Sequence, residues 1–397
     1  MTSRRPPLLL LGIASGLSPF GMAIIVPAMN SIATTYDASL ASVQFVISAY
    51  LFGLATAQPV MGHLCDRFGR RPVMAVGFTI FVVASLACAI TPTLELLIAA
   101  RYLQAVGTSA GTVASRAILR DTCHGDQLAS AMSYIAAGMG AAPIIAPIIG
   151  GFLDARLPGP SIHIATALIG ACVLIAVLVR LPETLRADAP RPDASRLLHN
   201  YFVLLRSRPF LGYTFLYGFI QGSFFCFLAV GAAYFLDAYG IESQVFGIVW
   251  GLMAVAYVIG AIAGARLTER VGSAGLLRTS VGLSVIAAAS LVLFTGSEPV
   301  PIGALLAPIF LLMMFSGTTT PGAMAGAIRP HPEMAGTASG LSSAIGLVLS
   351  GSFTVVAGLL YADRFQTVAV LMLVATVLAA GGWLLAVRAP RRAPGTG

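Results

Sequence analysis

The sequence predicts an all-α membrane protein of twelve membrane-spanning helices, arranged as two pseudo-symmetric sets of six. Three observations carry that expectation. Of 397 residues, 57% are hydrophobic and only 10% charged, against about 25% charged in an average soluble domain, and the mean hydropathy is +0.90. Apolar runs of roughly 20 residues, the length a helix needs to cross a bilayer, recur twelve times along the chain. A hydrophilic stretch at 182–209, rich in Pro, Asp and Arg, separates six of these runs from the other six. This composition excludes a soluble enzyme, a nucleic-acid binder and a disordered scaffold.

The first half offers spans at 8–29, 42–64, 73–90, 94–119, 128–153 and 161–181, and the second at 210–236, 244–265, 276–295, 302–328, 335–361 and 365–387. The expected organisation is therefore an N-terminal bundle (1–181), a cytoplasmic linker (182–209) and a C-terminal bundle (210–397). Gly and Pro within the runs are compatible with bilayer helices, where neighbouring helices satisfy the freed backbone groups. Arg4 and Arg5 precede the first run without a cleavage pattern, so it reads as a retained span. Cys65, Cys88, Cys123, Cys172 and Cys226 are scattered without metal-ligand spacing, and neither a metal site nor a disulfide is expected.

All 23 basic residues are arginine. With the N-terminus in the cytoplasm, 20 of them fall at that face, Arg156 and Arg364 fall opposite, and Arg101 lies inside a span. The positive-inside bias puts both termini in the cytoplasm. A shift of 203 residues lays Leu64-Cys65-Asp66-Arg67-Phe68-Gly69 on Leu267-Thr268-Glu269-Arg270-Val271-Gly272, each following the second span of its half. A weaker echo pairs Ala129-Ser130 with Ala338-Ser339. Repeated six-helix halves are an architecture of membrane transporters.

The loop Gly62-His63-Leu64-Cys65-Asp66-Arg67-Phe68-Gly69-Arg70-Arg71 resembles the signature of the major facilitator superfamily between its second and third spans. The resemblance implies the major facilitator fold, and a lock between the halves formed by Asp66, Arg70 and Asp121, with Arg67 beside them. The alternative is that these charges only set topology. Leu94, Arg101, Gln104 and Gly107 resemble the fourth-span signature of that superfamily. A mid-bilayer arginine costs at least about 2.5–3.5 kcal/mol and should face a cavity or a partner. Arg101, Gln104, Thr108 and Thr112 share one helical stripe, either the polar wall of a pathway or an interhelical anchor. The fifth span, ending Pro147-Ile148-Ile149-Gly150-Gly151, resembles the antiporter signature, with Ala142 and Ala146 in place of glycines. Small residues there also permit plain close packing.

Within the superfamily, the Arg120-Asp121 pair and Ala335-Gly336-Thr337-Ala338-Ser339 resemble the bicyclomycin-resistance-type (Bcr/CflA) drug exporters. Those exporters carry a first-span aspartate four residues before a proline; here Ala23 stands before Pro27. No Asp, Glu or His falls in the middle of any span, and Glu95, Asp154, Asp237, Glu242, Glu298, Asp363 and His163 all sit at outer ends. Proton coupling must then use an outer acid reached by water, or differ from the scheme of those exporters. The seventh span carries the stripe Tyr213-Tyr217-Gln221-Phe224, suited to bulky amphipathic molecules or to packing. Gln44, Gln58 and the segment Ser316-Gly317-Thr318-Thr319-Thr320-Pro321 are further pathway candidates.

The resemblance implies efflux of drug-like organic compounds across a bacterial inner membrane by alternating access and proton antiport, by a monomer with no cofactor. A dedicated metabolite exporter without proton coupling and a non-transporting sensor are the rival readings. No nucleophile with a base, metal cluster or phosphate loop suggests an enzyme.

Overall fold

The computed structural model describes residues 7–123, 125–157, 159–185, 194–241, 243–296, 300–331, 334–361 and 364–388. Arg4, Arg5, Arg186, Arg191, Arg391, Arg392, Glu242, Glu298 and Asp363 lie outside them, as do the side chains of Arg120, Arg196, Glu269, Ala129, Ser130, Ala335 and Gly336. Among the described residues all regular structure is helical. The first half comprises α1 (Leu8–Ala23), α2 (Met29–Thr35), α3 (Leu40–Phe68), α4 (Arg70–Ile90), α5 (Leu94–Thr122), α6 (Gly125–Arg156) and α7 (Ser161–Arg180). After α8 (Ala194–Leu205), the second half comprises α9 (Arg208–Tyr239), α10 (Ser243–Phe294), α11 (Ile302–Ile328), α12 (Ala335–Leu360) and α13 (Phe365–Val387).

Two boundaries differ from the sequence expectation for backbone reasons. The first span is not continuous to residue 29: α1 ends at Ala23, a 3-10 turn covers Val26–Ala28, and α2 starts afresh. Pro27 has no N–H to donate and its ring clashes with the carbonyl four residues back, which is that of Ala23. Conversely, the eighth and ninth spans run as one 52-residue element, α10, bent at Gly272. Gly272 has φ 74° and ψ 155°, and Gly69 between α3 and α4 has φ 102° and ψ 154°. The two copies of the repeated hexapeptide therefore end on the same left-handed turn, which glycine adopts without penalty.

Among the described residues, 11 helices are long and apolar enough to cross a membrane. The fourth span, α5, is the exception, since it carries Glu95, Arg101, Arg116, Arg120 and Asp121. It packs against α1, α3 and α4, which shields its polar face from lipid. Outward faces of other spans present large apolar side chains such as Val76, Val83, Leu168, Ile286 and Leu293. The linker contains a helix that its composition hid: α8 lays Leu204 against Phe210, Ala327 and Ala338 at the end of the bundle that carries the termini.

The halves meet chiefly through α3 with α12 and α6 with α10. These are spans two with eleven and five with eight, pairs that exchange under the pseudo-two-fold relation. At the end remote from the termini, one apolar core runs across both halves, joining Ile25, Met29, Val43 and Tyr50 to Phe227, Val230, Phe235 and Trp250. At the terminal end the core divides: Leu10, Met61, Phe78 and Ile118 belong to one cluster, and Leu216, Val281 and Ala379 to another. The apolar core is thus shared between the halves at the far end and divided at the terminal end.

Candidate functional site

The polar stripe of α5 is turned toward α1. Arg101 is 1% exposed; its Nη1 donates to the Gly21 carbonyl at 2.9 Å and to Gln104 Oε1. Its guanidinium lies 4.4 Å from the centroid of the Tyr50 ring, whose hydroxyl donates to the Ser18 carbonyl at 3.0 Å. Gln104 Nε2 donates to Ser85 Oγ on α4 at 2.6 Å. Farther along, Thr112 donates to the Ser15 carbonyl at 3.5 Å and Ser115 to the Leu11 carbonyl at 3.3 Å. The ladder ties four helices of the first half together, with Thr108 fully buried within it. Among the described residues, the titratable groups that feel the Arg101 charge are Tyr50, Cys88 and His163, none a carboxylate.

Arg116 behaves differently. It lies inside α5 rather than in a loop, yet its side chain is exposed. Its hydrogen-bond partner is the Met139 sulfur at 3.8 Å, and it stands within electrostatic reach of Tyr217 of the opposite half. Tyr217 in turn faces Tyr257 of α10. Arg116 therefore occupies the cleft where the halves part. The arginine tally groups it with the terminal-face loops, and the signal that finds it is its place four residues beyond Thr112 on the same helix.

On α9, Tyr213, Tyr217, Gln221 and Phe224 are all partly exposed. The first two also fill niches left by glycines: a side chain at Gly326 would meet Tyr213, and one at Gly346 would meet Tyr217. Gln221 Oε1 has no hydrogen-bond partner among the described residues. Phe224 leans on Trp250, ring centroids 4.9 Å apart, and joins the aromatic cluster of the far-end seal. That seal includes two polar ties: Gln44 Nε2 donates to the Ala229 carbonyl, and Asn30 Nδ2 to the Ala232 carbonyl at 3.4 Å. Gln58 is partly exposed on α3. The hydroxyls of span ten face its own bundle, Thr318 donating to the Gly260 carbonyl and Thr319 to Ser280, each at 2.9 Å.

At the terminal end Arg70 pairs with Asp66 and with Asp121, each at 2.9 Å. All three residues belong to the first half, and in this conformation they pair with one another. What joins them is the segment after α7: Glu183 accepts from the backbone N–H groups of Arg70 at 3.0 Å and Arg71 at 3.1 Å, and Thr184 donates to Asp121 at 3.0 Å. Glu183 thus caps α4 with an anion where the helix end is positive. A Cβ on Gly69 would come within 2.5 Å of the Glu183 carboxylate, so glycine is required there for space as well as for φ. Arg67 is exposed, 5.3 Å from the Phe68 ring centroid. The Glu183 role was not read from the sequence, since a lone acid after a span carries no motif.

In α6, small residues bring backbones together on two sides. Gly138 meets the Gly12 carbonyl of α1, and Gly150 meets the Ile24 carbonyl just past the end of α1. The Pro147 carbonyl faces Gly247 of α10 in the other half. Gly151 is buried beside them. α6 is thereby the close-packed slab between span one and the opposite bundle.

A family model described as Major Facilitator Superfamily matches residues 11–354. Multidrug resistance protein D of Escherichia coli is 30% identical over 378 residues, covering 95% of this chain and 94% of its own. A bicyclomycin resistance protein homolog of Haemophilus influenzae is 28% identical over 343 residues, with 85% of each chain covered. Among solved structures, a bacterial homolog of the human lysosomal transporter Spinster, in an inward-facing and occupied conformation, superposes with a TM-score of 0.77. That match covers 98% of each chain at 15% identity, a likeness of fold.

Proposed function

The chain belongs to the Major Facilitator Superfamily, and from that premise we propose that it exports drug-like organic compounds from a bacterial cytoplasm in exchange for protons. The observation that carries the reading is the asymmetry of the inter-half contact. One apolar core closes the far end while separate cores leave the terminal end parted, which is one half-cycle of alternating access. Both termini then lie in the cytoplasm of an inner-membrane monomer, and residues 1–181 and 210–397 move as two bundles about the linker.

Tyr213, Tyr217 and Gln221 supply the apolar and hydrogen-bonding wall, with Phe224 at its upper limit against the seal. Arg101, Gln104 and Thr108 set the geometry of span one against spans two to four, so that the pathway wall keeps its shape. Asp66, Arg70 and Asp121, with Arg67 at the rim, hold the terminal end of the first half as the bundles rock. Pro147, Gly150 and Gly151 form the slab on which the halves pivot. Arg116, exposed in the cleft, favours compounds with acidic or strongly accepting groups. Relatives whose names record drug resistance support the substrate class.

The test is a susceptibility panel, bicyclomycin included, in a host stripped of its own exporters. A fourfold or greater rise in inhibitory concentration for at least one compound is expected. No change for any compound removes drug efflux and leaves the metabolite exporter. In proteoliposomes, flux should rise at least tenfold with an imposed pH gradient, and gradient-independent flux removes antiport.

A further inference from the structure

Beside the close contact of α6 with α10 the two helices part and leave an apolar cavity of about 280 Å³. Ile148, Ile149, Phe152 and Leu153 of α6 and Ile248 of α10 line it, so it bridges the halves. The close contact below it is made by glycines: a side chain at Gly247 would meet the Pro147 carbonyl, and one at Gly251 the Ile144 carbonyl. Toward the far end of α6 the small residues give way to large ones, and the helices can no longer touch. Ile148, Phe152 and Ile248 are 44%, 49% and 55% exposed. On α10, Val245, Ile248, Leu252 and Ile259 make one exposed apolar stripe, the pattern of a surface that faces lipid. The cavity is therefore a groove open to the bilayer.

Arg156 stands in the last turn of α6, exposed, at the face away from the termini. The groove residues of α6 lie three to eight positions before it, about 5–12 Å down the axis at 1.5 Å per residue. An arginine here runs against the bias that collects 20 others at the terminal face, so topology supplies no reason for it. Its guanidinium lies 5.7 Å from the Phe152 ring centroid, and among the described residues no carboxylate pairs with it. The nearest acid in sequence, Asp154, is buried and accepts from Ser31 at 2.9 Å. Packing against a ring leaves the N–H groups at the guanidinium edge free, in a fork that suits a phosphate. A cation in the last turn also complements the helix dipole, but that role needs no groove beneath it.

We propose that α6 and α10 hold one anionic phospholipid of the leaflet at the far face, its phosphate on Arg156 and one acyl chain in the groove. The charge sits at the helix end and the apolar slot directly beneath it, in the order and at the spacing of a headgroup and its chain. A free anion would leave the slot empty, and a neutral hydrocarbon would leave the arginine without a partner. The groove is present in the conformation whose far-end core is shared between the halves. A lipid that bridges α6 and α10 favours that conformation over one in which they separate. The site stands outside the proposed pathway wall and does not depend on what is exported.

The test places a photoreactive benzophenone side chain at Val245, exposed at the edge of the groove, in the full-length protein. Vesicles of mixed phosphatidylcholine and phosphatidylglycerol receive the protein, light captures the neighbouring lipid, and mass spectrometry identifies it. The same probe at Leu168, exposed on α7, gives the bulk ratio of the two lipids. Capture at Val245 should be enriched in phosphatidylglycerol about fivefold over that ratio, the effect of one basic residue on an anionic lipid. Arg156→Gln should return the ratio to bulk, and Arg156→Lys should keep part of the enrichment. Arg364→Gln, at the other arginine of the far face, should change nothing. A bulk ratio in the wild type, or enrichment that survives Arg156→Gln, overturns the proposal. Enrichment abolished by inorganic phosphate would make Arg156 a plain anion site and overturn it equally, as would capture of a second copy of the chain in place of lipid. Capture does not measure flux, so the result stands apart from the outcome of the drug-export test.

Discussion

Burying a guanidinium in a bilayer helix costs at least about 2.5–3.5 kcal/mol, and Arg101 offsets that cost through the Gly21 carbonyl, Gln104 and the Tyr50 ring. A desolvated cation–π contact alone contributes about 2 kcal/mol. Arg101→Ala should therefore lower the melting temperature in detergent by several degrees and abolish transport. Arg101→Lys should recover part of the stability but little of the flux, because a compact ammonium lacks the planar, delocalised guanidinium that lies over the Tyr50 ring. Arg116→Gln should do the reverse. Its side chain has water on one side and a weak sulfur partner, so melting should change by no more than a degree or two while resistance to acidic compounds is lost. Equal damage to stability from both substitutions would remove the distinction drawn between the two arginines. Arg101 was legible in the sequence as a lone charge at mid-span. The direction it faces was not, since the helical period groups Arg101, Gln104, Thr108 and Thr112 without saying that α1 is the helix they meet. Asp154 and His163 were legible only as end residues, because their enclosure depends on α2 folding over them.

At the scale of elements, the glycines of the repeated hexapeptide permit a controlled comparison. Gly69 and Gly272 both adopt positive φ, but among the described residues only Gly69 has a neighbour, the Glu183 carboxylate, within contact of a Cβ. Gly272→Ala should cost the penalty of a positive-φ, extended-ψ backbone, about 1–3 kcal/mol. Gly69→Ala should cost more, since it also displaces the anion capping α4. Thermal unfolding of the two variants measures the difference, and equal losses would mean that the Glu183 cap contributes nothing. Spans were legible because an apolar run of bilayer length has one economical conformation. The break after α1 was written in Pro27 but hidden by the unbroken hydropathy around it. α8 was hidden the other way, by the Pro, Asp and Arg that dominate the linker's composition, although its Leu204 is as buried as any core residue.

For the whole molecule, the repeat predicted two like halves, and the exchange-related contacts of α3 with α12 and α6 with α10 have that symmetry. Which end is shut could not be read from it, because a symmetric sequence is compatible with either. The shut end is set by side chains that have no counterpart in the repeat: Asn30 and Gln44 reaching backbone carbonyls of α9, and the aromatic cluster around Trp250. Asp66, Arg70 and Asp121 pair within the first half in this conformation, so the far-end seal is the contact that must break for the molecule to open the other way. A short thiol crosslink between Asn30→Cys and Ala232→Cys should then stop transport, and a reductant should restore it to near the uncrosslinked rate. The same reagent applied between Phe52→Cys and Gly351→Cys, where a Cβ on Gly351 of α12 would lie 3.3 Å from the Phe52 ring of α3, should slow transport less if that contact serves as a pivot. A pivot shortens little during rocking, whereas a gate must open far enough to pass a compound. Undiminished flux with the Asn30–Ala232 crosslink complete would mean that substrate leaves by another route, and that the continuous far-end core is a structural joint and not a gate.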